Sequence, residues 1–349
     1  MSDTGQAGAR ANPSAATRLD IGKILLEGRA FFALIVIIIV FSLLSPNYFT
    51  ISNFLTMANH VAIYGVLSIG MLLVILNGGI DLSVGSVLAL CGVFAGALMQ
   101  GVTLGALGVA LYPPVWGVCV LTCAFGALVG AVNGALIAYF KVPAFVATLG
   151  TLYVARGVAL LMTNGLTYNN LGGRPELGNA GFDWLGFNRI AGVPIGVWTL
   201  VAIAILCHLV LARTAFGRWL YASGGNERAA ELSGVPVKGV KITVYVLSGI
   251  CAAIAGLVLS SQLTSAGPTA GTTYELTAIA AVVIGGAALT GGRGTVRGTM
   301  LGAFVIGFLS DGLVIVGVSS YWQTVFTGAV IVLAVLMNSI RYKGRGAKS

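Results

Sequence analysis

Ionisable and polar side chains are rare in this chain, and those that interrupt its apolar runs are the residues able to do chemistry. The first group is Leu76-Asn77-Gly78-Gly79-Ile80-Asp81-Leu82-Ser83. Asn77 and the two glycines suit the end of one helix. Asp81 suits the cap of the next, accepting from its free N–H groups. Two readings stand side by side. One is a tight turn at the inner membrane face; the other is a discontinuous element whose Asn77, Asp81 and Ser83 line a pathway. Asp311, in Ser310-Asp311-Gly312, and Arg156 each sit deep in another apolar run. An unpaired charge there is costly, so Arg156 is expected to pair with Asp311 or with Asp81. Such a pair is either an interhelical strut or a substrate contact. Glu275, after Tyr274, opens a further run on the outer side, where a carboxylate complements a helix N-terminus; the alternative is a place on the pathway with Arg156 and Asp311.

Other chemistries lack their residues. No G-x-x-x-x-G-K-[ST] loop offers a lysine-bearing phosphate cradle, and neither a G-x-S-x-G elbow nor an H-E-x-x-H helix occurs. His60 and His208 lie far apart near run ends and read as interfacial packing, not as a metal or relay pair. Cys91, Cys119, Cys123, Cys207 and Cys251 all fall in apolar runs. Cys119 and Cys123 are one turn apart but have no histidine or acidic partner, so they too read as packing residues. No catalytic group and no metal site is assigned, and the reading narrows to transport.

The elements that must position these residues follow from composition. Of 349 residues, 57% are hydrophobic and 8% charged, with a mean hydropathy of +0.97. Soluble domains carry about 25% charged residues, so a water-facing surface of this size cannot be coated. The 50 glycines follow no Gly-X-Y period. A soluble enzyme, a disordered chain and a collagen-like rod are all excluded. What remains is an all-α polytopic membrane protein. A span needs about 20 mostly apolar residues, and windows of that kind fall at 29–48, 59–77, 82–100, 115–139, 143–163, 193–212, 243–261, 275–291, 298–318 and 321–339. These predict about ten transmembrane helices. Segment 101–112 is too short to span and stops at Pro113-Pro114, which makes it interfacial or re-entrant. The first run lacks a small-residue cleavage site and reads as a retained span.

Basic residues set the orientation. With both termini cytoplasmic, 16 of the 19 lie on the inner side; Arg174 and Arg189 lie outside and Arg156 within a span. That asymmetry is the positive-inside rule. The net charge of +9 therefore marks the face next to anionic lipid, with no nucleic acid needed. Residues 1–28 are expected to form a disordered cytoplasmic tail, 29–340 the membrane domain and 341–349 a basic cytoplasmic tail.

The longest inner connection, 213–242, holds a punctuated helix. Asn226 is a good N-cap, Glu227 suits the first turn, Gly234 suits C′ and Pro236 blocks continuation. About two turns cannot stand alone. A helix lying on lipid would turn Glu227 and Glu231 towards an anionic leaflet, so a docking helix for a cytoplasmic protein fits better. Leu76-Asn77-Gly78-Gly79 can also be laid on Leu289-Thr290-Gly291-Gly292. Both turns fall on the inner side, so the pair does not support an inverted repeat.

The sequence from Asn77 to Ser86, Asn77-Gly78-Gly79-Ile80-Asp81-Leu82-Ser83-Val84-Gly85-Ser86, resembles the signature of permease subunits of bacterial ABC sugar importers, the ribose/xylose/galactoside class. Val142-Pro143-Ala144-Phe145-Val146-Ala147-Thr148-Leu149-Gly150-Thr151, then Asn226 to Gly234, Tyr274-Glu275-Leu276-Thr277-Ala278-Ile279-Ala280 and Gly291-Gly292-Arg293-Gly294-Thr295 follow in order. The resemblance covers about residues 30–340. It implies a homodimeric channel in the bacterial cytoplasmic (inner) membrane, with a cytoplasmic ABC ATPase below and a periplasmic or extracellular sugar-binding protein above. ATP and Mg would sit on the ATPase, leaving no cofactor on this chain. Asn226, Glu227, Arg228, Ala229, Ala230, Glu231, Ser233 and Gly234 would then form the coupling helix. The outer segment 164–192 is where the binding protein would dock. The alternative is an ion-coupled secondary transporter of a small polar solute, which usually shows paired acidic groups at mid-membrane; only Asp311 and Asp81 qualify. Pentose, hexose and polyol all stay open as substrates.

Overall fold

The computed structural model describes residues 28–104 and 109–346; the tail expected over 1–28 lies, but for Gly28, outside them. Apolar runs rich in Leu, Ala, Val and Ile form thirteen α-helices among the described residues. In chain order these are α1 (Arg29–Leu44), α2 (Ile51–Leu76), α3 (Val84–Gln100), α4 (Val115–Ala138), α5 (Ala144–Thr163), α6 (Trp184–Phe187) and α7 (Ile195–Arg213). They continue with α8 (Ala215–Gly225), α9 (Glu227–Leu232), α10 (Val237–Leu263), α11 (Tyr274–Ile284), α12 (Val296–Ile315) and α13 (Ser320–Gly346). Polar caps and prolines set their starts. Thr50, Thr214 and Thr295 accept from the N–H three residues on, and Pro114, Pro143, Pro194 and Pro236 precede α4, α5, α7 and α10.

Six helices, α2, α4, α5, α7, α10 and α12, are long and apolar enough to cross a membrane; α1, α3 and α11 are shorter apolar helices. Every predicted window coincides with a helix, but one differs in kind. Where the window 275–291 was expected to span, the helix α11 has only 11 residues, because Gly285 and Gly286 end it, Gly286 at φ +91°. Within segment 101–112, β1 (Val102–Leu104) and β2 (Val109–Leu111) pair antiparallel. Two-residue strands complete the set: β3 (Tyr168–Asn169), β4 (Arg189–Ile190), β5 (Val193–Pro194) and β6 (Ser265–Ala266). β3 pairs with β6, and β4 with β5. The last helix runs through Gly346, so the first part of the expected 341–349 tail is helical backbone.

Helix α10 is the central post, packed on α4, α2 and α3. Glycines permit its close approach to α4: a Cβ on Gly126 would lie 2.5 Å from the Gly249 carbonyl oxygen. A second cluster joins α1 to α12, where Tyr48 donates to the Phe308 carbonyl at 3.0 Å.

Three irregular segments matter for function. After α2 the chain folds back, Gly79 N–H reaching the Val74 carbonyl at 3.0 Å, with Gly78 at φ +81°. The segment joining α11 to α12 meets this break, since Gly292 N–H donates to the Leu76 carbonyl at 2.9 Å. The two Gly-Gly turns that resemble each other in sequence therefore lie together. Third, beyond α10, Ala266 lies against Gly96 and Gly271 against Gly85. Eleven residues of α3 separate those contacts, about 16 Å at 1.5 Å per residue. The strap 264–273 thus runs back into the bundle, and α11 starts at mid-depth. Its first residue, Tyr274, packs on Tyr64 with ring centroids 4.8 Å apart, halfway along α2.

Candidate functional site

The Asp81 carboxylate lies in a closed network. Its Oδ1 accepts from the Ser83 N–H at 3.0 Å and the Ser83 hydroxyl at 2.6 Å, and its Oδ2 from the Ser248 hydroxyl at 2.9 Å. Asn133 Nδ2 donates to Ser83 Oγ at 3.1 Å, and the Thr151 hydroxyl donates to Asn133 Oδ1 at 2.5 Å. The break before α3 is thereby tied to α4, α5 and α10. Asp81 is 3% exposed, and the space between these groups has no volume for a solute. Asp81, expected to cap α3, stands two residues before the cap Ser83 and accepts from the Ser83 N–H, not from an N–H of the helix itself. Asn77 Nδ2 instead reaches the Ser223 hydroxyl of α8 at 3.1 Å. Ser248, Asn133 and Thr151 were not foreseen; the sequence signal was a polar residue inside each apolar run.

Arg156 pairs with neither Asp81 nor Asp311, contrary to the expectation from charge alone. Its Nη1 donates to the Pro268 and Ala270 carbonyls, at 2.5 and 2.9 Å. Both belong to the strap 264–273, outside any helix, and carbonyls are strong acceptors for a guanidinium. Glu275 stands in the first turn of α11 as predicted, though at mid-depth and not at the outer end of a full span. It couples electrostatically to Arg156 without a direct ion pair. Thr269, Thr272 and Thr273 beside them are exposed.

Asp311 faces His60, with Oδ1 3.3 Å from Nδ1. Its Oδ2 is buried without a hydrogen-bond partner among the described residues. Tyr64, one turn along α2 from His60, links this pair to Tyr274. His60, Tyr64, Asp311, Tyr274, Glu275, Arg156 and the strap threonines thus make one polar strip at the middle of the bundle, with the His60 side chain 51% exposed. Hydrocarbon would leave such groups unsatisfied at large cost. The strip is suited to a water-filled passage or a protein partner. His60 was read from sequence as packing; 251 residues separate it from Asp311, a distance no local pattern bridges.

At the end of the bundle carrying the turn 77–83, α9 forms with its predicted punctuation. Asn226 Oδ1 accepts from the Ala229 N–H at 3.0 Å. Gly234 adopts φ +82°, and Val235 N–H closes on the Ala230 carbonyl at 3.0 Å, a Schellman-type ending. Ala230 is buried, seated where α9 meets α8 and α10. Glu227 pairs with Lys241 at 2.7 Å and Arg228 with Glu231 at 3.3 Å. Ser233 donates back to the Ala229 carbonyl, and Leu232 is 75% exposed. The helix is held on one face and open on the other.

A family profile described as "Branched-chain amino acid transport system / permease component" matches residues 53–335. This chain belongs to that permease family. The permease is 44% identical over 315 residues to the ribose import permease protein RbsC of Escherichia coli strain K12, covering 90% of this chain and 94% of that protein. It is 43% identical over 309 residues to the ribose import permease of Bacillus subtilis strain 168, covering 88% and 91%. Against the xylose transport system permease protein XylH of Escherichia coli strain K12 it is 34% identical over 352 residues, covering 84% and 86%. No solved structure matches it. The resemblance read from the five motifs is borne out, and the permease is a multi-pass protein of the cytoplasmic membrane.

Proposed function

We propose that this permease is the membrane-spanning subunit of an ATP-driven sugar importer, with ribose or xylose as the first substrates to test. Likeness over nine-tenths of the chain to ribose import permeases carries the reading. The mid-depth polar strip supports it, because a hydroxyl-rich solute needs donors and acceptors where lipid would demand none. In this reading two copies face each other across their strips. Ten segments cross the bilayer, one of them the strap 264–273 together with the half-helix α11, with both termini cytoplasmic and 16 of 19 basic residues inside. The open face of α9 docks in a cytoplasmic ATPase that holds ATP and Mg. The outer segment 164–192 receives a sugar-binding protein. ATP-driven closure of the ATPases shifts α9 and switches the strips between inward and outward access.

Reconstitution decides the matter. Vesicles holding the permease, its ATPase and its binding protein should take up labelled ribose or xylose only with ATP inside the ATPase compartment. The ion-coupled alternative draws on the His60–Asp311 pair. Uptake by the permease alone under a proton gradient would establish that alternative and sink the importer reading.

A further inference from the structure

A cavity of about 560 Å³ opens between α9, the start of α10 and the turn joining α4 to α5. Lys141, Arg228, Lys238 and Lys241 line it, opposed by Glu227 and Glu231. Two of the cations are neutralised, since Lys241 is bridged to Glu227 and Arg228 to Glu231. Among the described residues, neither Lys141 nor Lys238 has a carboxylate within 4.0 Å. Lys238 instead lies 5.7 Å from the centroid of the Tyr139 ring. The cavity therefore holds an excess of two positive charges. Tyr245 also lines it; its hydroxyl is buried and has no hydrogen-bond partner among the described residues. A buried orphan hydroxyl in a charged cavity marks a missing partner. Tyr139, Phe140 and Phe145 are exposed on either side of Lys141 in the chain, as aromatic residues are where a bundle meets the headgroup layer.

We propose that this cavity binds the phosphate headgroup of an anionic phospholipid from the adjoining leaflet. Lys141 and Lys238 hold the phosphate oxygens, the Tyr245 hydroxyl donates to one of them, and the acyl chains lie along Phe140 and Phe145. A neutral sugar gains nothing from two unpaired cations, whereas a phosphate diester satisfies both and the hydroxyl as well. Glu227 and Arg228 form the facing wall, so an occupied cavity braces α9.

Native mass spectrometry of the full-length permease in detergent tests this without reference to transport. Phosphatidylglycerol should be retained about tenfold more than phosphatidylcholine. K141Q/K238Q should lose most of that retention. R213Q/R218Q, the same charge change at arginines outside the cavity, should keep it. Y245F preserves the ring and should weaken retention; with K238Q alone it carries the test if the double variant does not fold. Equal retention in K141Q/K238Q, equal loss in R213Q/R218Q, or displacement of the lipid by millimolar inorganic phosphate would each overturn the proposal.

Discussion

At the residue scale, the ionisable groups inside the bundle divide by what satisfies them. Asp81 is surrounded by neutral donors in a sealed space, which is the arrangement of a structural node. Asn at this position keeps the size but turns an amide N–H₂ towards hydroxyl donors. Asp81→Asn should therefore cost about 2 kcal/mol of stability, read as a lower unfolding midpoint in detergent, with uptake falling in proportion to folded protein. An unchanged midpoint with abolished uptake would return Asp81 to the pathway. Arg156 is different, because it grips backbone carbonyls of the strap and sits beside Glu275. Arg156→Met should leave insertion intact and lower uptake at least about tenfold, the loss of two charge-assisted bonds. Arg156→Lys should recover only part of it, since an ammonium lacks the planar fork that spans two carbonyls.

At the element scale, the short helix α9 was fully readable. Its cap, first-turn acid, C′ glycine and following proline are local chemistry, and local chemistry decides the ends of a short helix. The half-helix α11 was not. Residues 275–291 have the length and hydropathy of a span, and only the Gly285-Gly286 turn and the strap, pinned by Arg156, show that it starts at mid-depth. The reversal of Glu227 and Glu231 to lysine should abolish ATPase association while leaving the membrane fraction unchanged, measured by copurification. Glu227→Lys also places two cations together at Lys241, so Glu231→Lys alone is the cleaner variant, and it should reduce association severalfold. Wild-type copurification of both variants would remove α9 from the interface.

At the scale of the whole molecule, the exposed polar strip is the feature that a single copy leaves unfinished. If two copies share one passage, the strap threonines of one approach those of the other. With the native cysteines replaced, Thr273→Cys should cross-link into dimers under mild oxidation, and Leu263→Cys on α10 should do so far less. Bound sugar-binding protein and ATPase with nucleotide should change the yield, as a two-state passage requires. Equal cross-linking at both positions would argue that the strip faces lipid or another part of the assembly.

The sequence by itself determined the class of fold, the places of the apolar runs, the punctuation of α9 and the family. Those rest on hydropathy, capping and motif order, which are short-range properties. It also singled out Asp81, Arg156, Glu275 and Asp311 as exceptional, because a charge in an apolar run is visible without a structure. Their partners were decided only by tertiary structure. Arg156 satisfies carbonyls over 110 residues away and Asp311 meets His60 across 251 residues. In a medium without water each buried polar group takes whichever donor or acceptor the packing delivers, and packing is a property of the folded bundle.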